Sequence, residues 1–202
     1  MAATAAVRTA ERSEYPELAR TLTRAFADDP VMAWFLPDAD RRLARMERFF
    51  RDLELRGPFG RHGEIFTTDD LAAVALWLPP GRWRLGPVDQ LRMLPGLVRL
   101  VSLRVLPSRL AGFQAVERRH PSAPPHWYLA TLGTDPHRQG QGLGSALLAD
   151  QLARCDADGL PSYLESSKES NVPFYERHGF VVTDTYDFAD GPRLWLMWRD
   201  PR

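Results

Sequence analysis

Residues 126–145 read His-Trp-Tyr-Leu-Ala-Thr-Leu-Gly-Thr-Asp-Pro-His-Arg-Gln-Gly-Gln-Gly-Leu-Gly-Ser, and they constrain the fold more than any other stretch. Trp127 to Leu132 is an apolar, aromatic run that predicts a buried strand. Asp135-Pro136 signals a turn. Gly140, Gly142 and Gly144 follow on alternate positions. Ala146, Leu147, Leu148, Leu152 and Ala153 then recur at helical spacing. A strand therefore runs through a basic, glycine-rich turn into a helix.

Glycines at such a turn admit φ > 0 and let a ligand approach the backbone. The helix start presents unpaired N–H groups and the positive end of the dipole. Together they make a site for phosphate or pyrophosphate, and Arg138 adds positive charge beside it. A Walker loop needs a lysine, and none is present here. Gly140-x-Gly142-x-x-Ser145 approximates a dinucleotide fingerprint, with Glu165 at the distance of a ribose-binding acid. In that fingerprint, however, the turn follows its strand directly. Here Thr134 to Gln139 intervene, and Ser145 stands where the third glycine belongs.

Gln139-Gly140-Gln141-Gly142-Leu143-Gly144 fits Gln/Arg-x-x-Gly-x-Gly/Ala residue for residue. It resembles the acyl-CoA loop of the GNAT superfamily of N-acetyltransferases. Asn171-Val172-Pro173-Phe174-Tyr175-Glu176-Arg177-His178-Gly179-Phe180 is similar to the second signature of that superfamily. Within the superfamily, the chain resembles the puromycin N-acetyltransferase group. That likeness runs from Ala25-Phe26-Ala27-Asp28, through Trp127 to Thr131 and Leu164-Glu165-Ser166-Ser167, to Gly191-Pro192-Arg193. It is weakest over residues 80–122.

The resemblance implies acetyl-CoA as the acetyl donor. It implies that Arg138, Gln139, Gly140, Gln141, Gly142, Leu143, Gly144 and Ser145 hold the pyrophosphate. The strand edge at Leu132, Gly133 and Thr134 would hold the pantetheine arm in the manner of an added strand. Gly133 has no side chain to obstruct that arm. The N–H of Thr134 or of Leu132 would polarise the thioester oxygen. Asn171 would bond the pantetheine or a water near it, or cap a helix, and Phe174 lies beside it. Tyr175 would be the general acid, since a phenol of pKa about 10 is protonated at neutral pH.

The acceptor amine also has to lose a proton, because an alkylamine of pKa about 10 is only about 0.1 % neutral at pH 7. The central-strand position where some relatives carry a glutamate is Tyr128 here. Glu165, Asp28, Asp29 and Glu64 are the candidate bases. Glu165 could equally fix the loop that follows it through a structural hydrogen bond. Asp28, Asp29 and Trp34 are assigned to the acceptor site.

At 202 residues the chain is expected to form one domain, residues 1–202. Lys+Arg 26 balance Asp+Glu 26, which favours neither nucleic acid nor an anionic membrane as partner. Cys155 is the lone cysteine, which points to no disulfide and a cytoplasmic location. Met1 to Ala6 lacks the basic-then-apolar pattern of a signal peptide. Residues 91–106, the most apolar stretch, are cut by Arg92, Pro95, Arg99 and Arg104, so no membrane span is expected. The five histidines and Cys155 show no ligand spacing, so no metal is expected. Ser166 and Ser167 lie in no nucleophile elbow. The chain is expected to be a monomer or a homodimer.

The pattern predicts a strand at 5–10 and helices at 14–27 (capped by Ser13), 31–36 and 40–56 (capped by Asp40). Strands follow at 62–67 and 71–78. Residues 86–121 are helical in pattern but broken at Pro95 and Pro107, either as core packing or as a wall over the acceptor. After the central strand come a helix at 142–158, a strand at 162–166, a short helix at 171–178 and strands at 180–188 and 193–199. This order predicts an α/β fold with a mixed sheet of about seven strands, helices on both faces, and a helical insert over 80–122 between the third and fourth strands. The function expected is transfer of acetyl to a primary amine of a small molecule by direct attack in a ternary complex. Acetylation of a protein N-terminus or lysine is the alternative within the same chemistry. A non-catalytic CoA sensor is the alternative from another class.

Overall fold

The computed structural model describes residues 6–202, so the leader reading of Met1 to Ala6 falls almost wholly outside the described residues. Among the described residues seven strands form one sheet: β1 Val7–Thr9, β2 Glu64–Thr68, β3 Ala73–Leu78, β4 Trp127–Thr134, β5 Ser162–Ser166, β6 Val181–Asp187 and β7 Arg193–Arg199. Their spatial order is β1-β2-β3-β4-β5-β7-β6. Only β4 and β5 pair in parallel. The mixed seven-stranded sheet is the one expected from the residue pattern.

Among the described residues there are eight helices: α1 Tyr15–Ala25, α2 Pro30–Phe35, α3 Ala39–Arg48, α4 Pro58–His62, α5 Pro87–Leu100, α6 Leu106–Arg119, α7 Leu143–Ala157 and α8 Val172–Glu176. A π-helical stretch, Phe49–Leu55, continues α3. One face of the sheet is covered by Leu18, Leu22, Trp34, Phe35, Met46 and Phe50, joined by Leu100, Leu106 and Val116 of the insert. The other face is covered by Leu143, Leu147, Leu148 and Leu152 of α7 with Tyr175 and Phe180. Each leucine buried this fully contributes roughly 1.5–3 kcal/mol relative to exposure.

Several boundaries differ from the pattern for local reasons. Asp38, not Asp40, caps α3 by accepting from the Arg41 N–H at 3.4 Å. Ser13 caps nothing; its hydroxyl donates to Glu11 at 3.3 Å. A capping box between Glu11 and Glu14 instead opens a 3₁₀ turn ahead of α1. Pro95 does not break α5, which runs through it. The carbonyl it frees belongs to Leu91, which is 70 % exposed, so water can satisfy it. The apolar residues of the insert divide. Leu100, Val101, Leu106 and Val116 are buried, while Val88, Leu91, Leu94 and Leu103 face out. Among the described residues no helix is long and apolar enough to cross a membrane.

Candidate active site

The site begins where β4 and β5 part. They pair only through Trp127↔Ser162, Tyr128↔Tyr163 and Leu129↔Leu164. Beyond Leu129 the β5-facing edge of β4 has no strand partner. On its other edge β4 carries a bulge: Leu76 pairs Thr131 and Trp77 pairs Leu129, which leaves Ala130 as the extra residue. The bulge turns Thr131 and Gly133 toward α1 and the π-helical turn, and Leu132 and Thr134 toward α7. Of the two amides expected to polarise the thioester, that of Leu132 is the nearer to this bulge.

A cleft of ≈ 770 Å³ opens at this parting. Its walls include Leu132, Gly133, Thr134, Arg138, Gln139, Gly140, Gly142, Leu143, Gly144, Ser145, Asn171, Phe174 and Tyr175, with Asp28 and Asp29 at the end of α1. The residues expected around the donor are therefore brought together, with one exception. Gln141 is not on the wall; its side-chain oxygen accepts from Arg138 Nε at 2.9 Å. Arg138 is also paired with Asp70, so its charge is already partly satisfied.

The loop geometry suits an anion. Gly140 and Gly142 lie at φ +74° and +81° with open space around each Cβ position. Gly142 is the left-handed cap that launches α7. The third glycine has a different reason: a Cβ on Gly144 would lie 3.3 Å from Phe174 Cζ, so it lets Phe174 rest on the first turn of α7. Because the constraint at Gly142 is backbone conformation alone, Gly142→Ala is expected to lower stability by about 1 kcal/mol in a denaturant titration. Gly133 differs from its expected reason too. An added Cβ there would meet Leu22 Cδ2 at 2.8 Å and Phe26 Cε2 at 3.0 Å. The residue lets α1 pack closely on β4 where both line the cleft.

Tyr175 is 8 % exposed and touches Phe174 and Phe180 edge-on. Burial, then the nearby Asp29 carboxylate, raises its phenol well above the ordinary value. Asp29 caps α2 by accepting from the Met32 N–H at 2.9 Å, and its second oxygen accepts from the Ser167 hydroxyl. Burial raises its pKa despite those bonds. Asp28 pairs with Lys168 at 2.7 Å, and this hydrogen bond lowers its pKa. Asn171 makes no capping bond with its side chain and lies on the cleft wall.

Three expected site residues lie elsewhere. Trp34 is 7 % exposed and packs in an aromatic cluster with Phe113 and Phe188, with the Arg109 guanidinium 4.2 Å from its ring centroid. Glu64 is paired with Arg154 at 2.6 Å. Glu165 is not on the cleft wall. It faces His120 Nδ1 at 3.5 Å, and His120 Nε2 meets His126 Nε2 at 3.0 Å. The pattern missed Lys168 and Ser167, both on the cleft wall. It also missed Glu54, a buried carboxylate bonded by the Thr131 hydroxyl. Glu54 was visible as a charge four residues after Phe50 on the apolar stripe of its helix. Among the described residues no group of three His, Cys, Asp or Glu is arranged to hold a metal.

A strand edge without its partner runs into a glycine-built helix start, an arrangement that can hold an extended arm along the strand and an anion at the helix amides. Residues 101–198 match the family model described as an acetyltransferase (GNAT) domain. An uncharacterized N-acetyltransferase of Schizosaccharomyces pombe is 29 % identical over 217 residues, spanning 97 % of this chain and 83 % of that protein. A mycothiol acetyltransferase of Acidimicrobium ferrooxidans is 38 % identical over 73 residues, which is 35 % of this chain and 21 % of that protein. A Corynebacterium glutamicum structure, described as histone acetyltransferase HPA2 and related acetyltransferase, superposes with a TM-score of 0.76 at 28 % identity. That superposition covers 98 % of this chain and 97 % of that one. The chain is an acetyl-CoA-dependent N-acetyltransferase, and its residues 101–198 are similar to the GNAT acetyltransferases.

Proposed function

We propose that the chain acetylates a primary amine of a small molecule within a ternary complex. Residues 139–145 hold the diphosphate of the donor through backbone amides. The free edge at Leu132 to Thr134 holds the pantetheine arm, and the Leu132 N–H polarises the thioester oxygen. Asn171 and Phe174 flank the arm. The donor supplies an activated acetyl group, and Tyr175 delivers the proton that the leaving sulfur needs.

The observation that carries the small-molecule reading is the insert. α5 and α6 pack onto the same face of the sheet as α1 and α2, burying Leu100, Leu106 and Val116 there. Phe113 of α6 joins Trp34, Phe35 and Phe188 in one aromatic wall. Helices laid over that side cover it against an extended peptide, which favours a compact amine as the acceptor. The likeness to the puromycin N-acetyltransferase group and the partial match to a mycothiol acetyltransferase support the same class. The lone Cys155, buried and unpaired, fits a reducing compartment such as the cytoplasm.

The test is thiol release from acetyl-CoA with a panel of small amines, puromycin among them, beside peptides with free N-termini or lysines. Turnover on one or more small amines with none on peptides is the expected result. Turnover confined to peptides would move the assignment to protein acetylation.

A further inference from the structure

We propose that Glu54 is the proton acceptor for the attacking amine, reached through the hydroxyl of Thr131. The proposal rests on the amine-acetyltransferase reading above and adds the base which that reading lacks.

Glu54 sits in the π-helical turn Phe49–Leu55 and is 8 % exposed. Its Oε1 accepts from Thr131 Oγ1, while its Oε2 is buried with no partner. A buried carboxylate oxygen without a partner is costly and calls for a reason. π-helical turns inside α-helices are often found at functional sites. Thr131 lies just past the β4 bulge, on the edge that β5 does not cover, one residue before Leu132 on the cleft wall. Thr131 itself is not on the cleft wall, but Gly133 and Phe26 on the same face are, and Phe26 packs on Phe50 of the π turn; the proposed path runs from that side of the cleft through the Thr131 hydroxyl to the carboxylate.

The surroundings do not supply a competing charge. Tyr128 on β4 feels both Glu54 and Glu165, and Glu165 on β5 is backed by His120 at the end of α6. No charged group on α1, α3, α4 or α5, the helices packed against the π turn, bears on Glu54. Burial alone raises it, to about 7, against the hydrogen bond from Thr131. The group is thus partly ionised at neutral pH, as a base must be.

The step balances. The bound ammonium gives one proton to Thr131 Oγ as the Thr131 hydroxyl proton passes to Glu54 Oε1. The neutral nitrogen then bonds to the acetyl carbon, and the C–S bond breaks. The sulfur takes the Tyr175 proton, the second nitrogen proton restores Tyr175, and Glu54 returns its proton to solvent.

Glu54→Gln keeps the shape and removes the charge. Its first readout needs no ligand. Because the folded pKa is raised, the stability that Glu54 allows is full below its unfolded value and is lost as pH rises through about 7. The melting temperature of the wild type should show that downward step, and Glu54→Gln should not. With an alkylamine at pH 7.5, Glu54→Gln should lower kcat about 100-fold, leave the acetyl-CoA KM unchanged and erase the acidic limb of the pH profile. A hydrazide, whose nitrogen is neutral at that pH, should lose about threefold or less. Thr131→Val should follow Glu54→Gln, and Thr131→Ser should recover most of the loss. Wild-type turnover in Glu54→Gln, or equal losses on alkylamine and hydrazide, would overturn the proposal. If the wild type proves active only on peptides, the small-molecule reading falls, and the same comparison on a peptide amine still decides for or against Glu54.

Discussion

Replacing Tyr175 with Phe is expected to lower turnover about 100-fold and to leave acetyl-CoA affinity unchanged. The ring stays because its neighbours are rings: Phe174 lies 5.1 Å away and Phe180 6.1 Å, centroid to centroid. Phenylalanine keeps those contacts, so the melting temperature should hold. The hydroxyl alone is lost, and with it the proton for the departing sulfur. Burial and the Asp29 carboxylate both favour the neutral phenol, so the wild-type residue should stay a donor across the whole neutral and mildly basic range. No basic limb from Tyr175 should appear below pH about 10. Thiol release at saturating amine, beside a thermal shift with CoA, separates the two effects. A Tyr175→Phe chain at full rate would remove the residue from the mechanism.

Gly57→Ala is expected to destabilise the fold by about 3 kcal/mol, the upper end of what overpacking costs. Gly57 closes the π-helical turn with φ −74° and ψ −168°, a conformation any residue adopts. The obstacle is contact. A Cβ there would lie 1.8 Å from the Leu53 carbonyl oxygen and 2.4 Å from its carbon, both backbone atoms that cannot rotate away. The turn that carries Glu54 would have to shift, so turnover should fall along with stability. For a chain of this length the melting temperature should drop by roughly 6–12 °C. Gly86→Ala is the control. Gly86 also precedes a helix with extended geometry, but nothing lies within 4 Å of its Cβ position, so it should behave as wild type.

Much of this site was legible in the residues, and the remainder was hidden for identifiable reasons. The loop from Gln139 to Ser145 could be read because its glycines serve the backbone, and backbone requirements show in single-letter patterns. The strand at 162–166 was read to the residue because Gly159-Leu160-Pro161 punctuates its start. The ring partners of Trp34 could not be foreseen, because an aromatic near the acceptor loop looks the same whether it meets a ligand or another ring, and Phe113 and Phe188 come from distant parts of the chain. Glu165 faces His120 across an insert where the resemblance is poorest, so its partner could not be foreseen. Glu54 stood on the apolar stripe four residues after Phe50, but a charge in that position does not reveal what it meets. Its partner Thr131 is 77 residues away and is turned toward it by a bulge that depends on strand register. Local chemistry was visible; chemistry assembled from long-range pairing was not.

The parallel seam between β4 and β5 is only three residue pairs long. Within the sheet only the edge strand β1 is joined as briefly, by three pairs to β2, whereas β3 and β4 share six pairs and β5 and β7 share five. The molecule is in effect two flanges held by a short weld. A guest that bonds along the vacant edge acts as a splint across the gap, stiffening the joint only for as long as it stays.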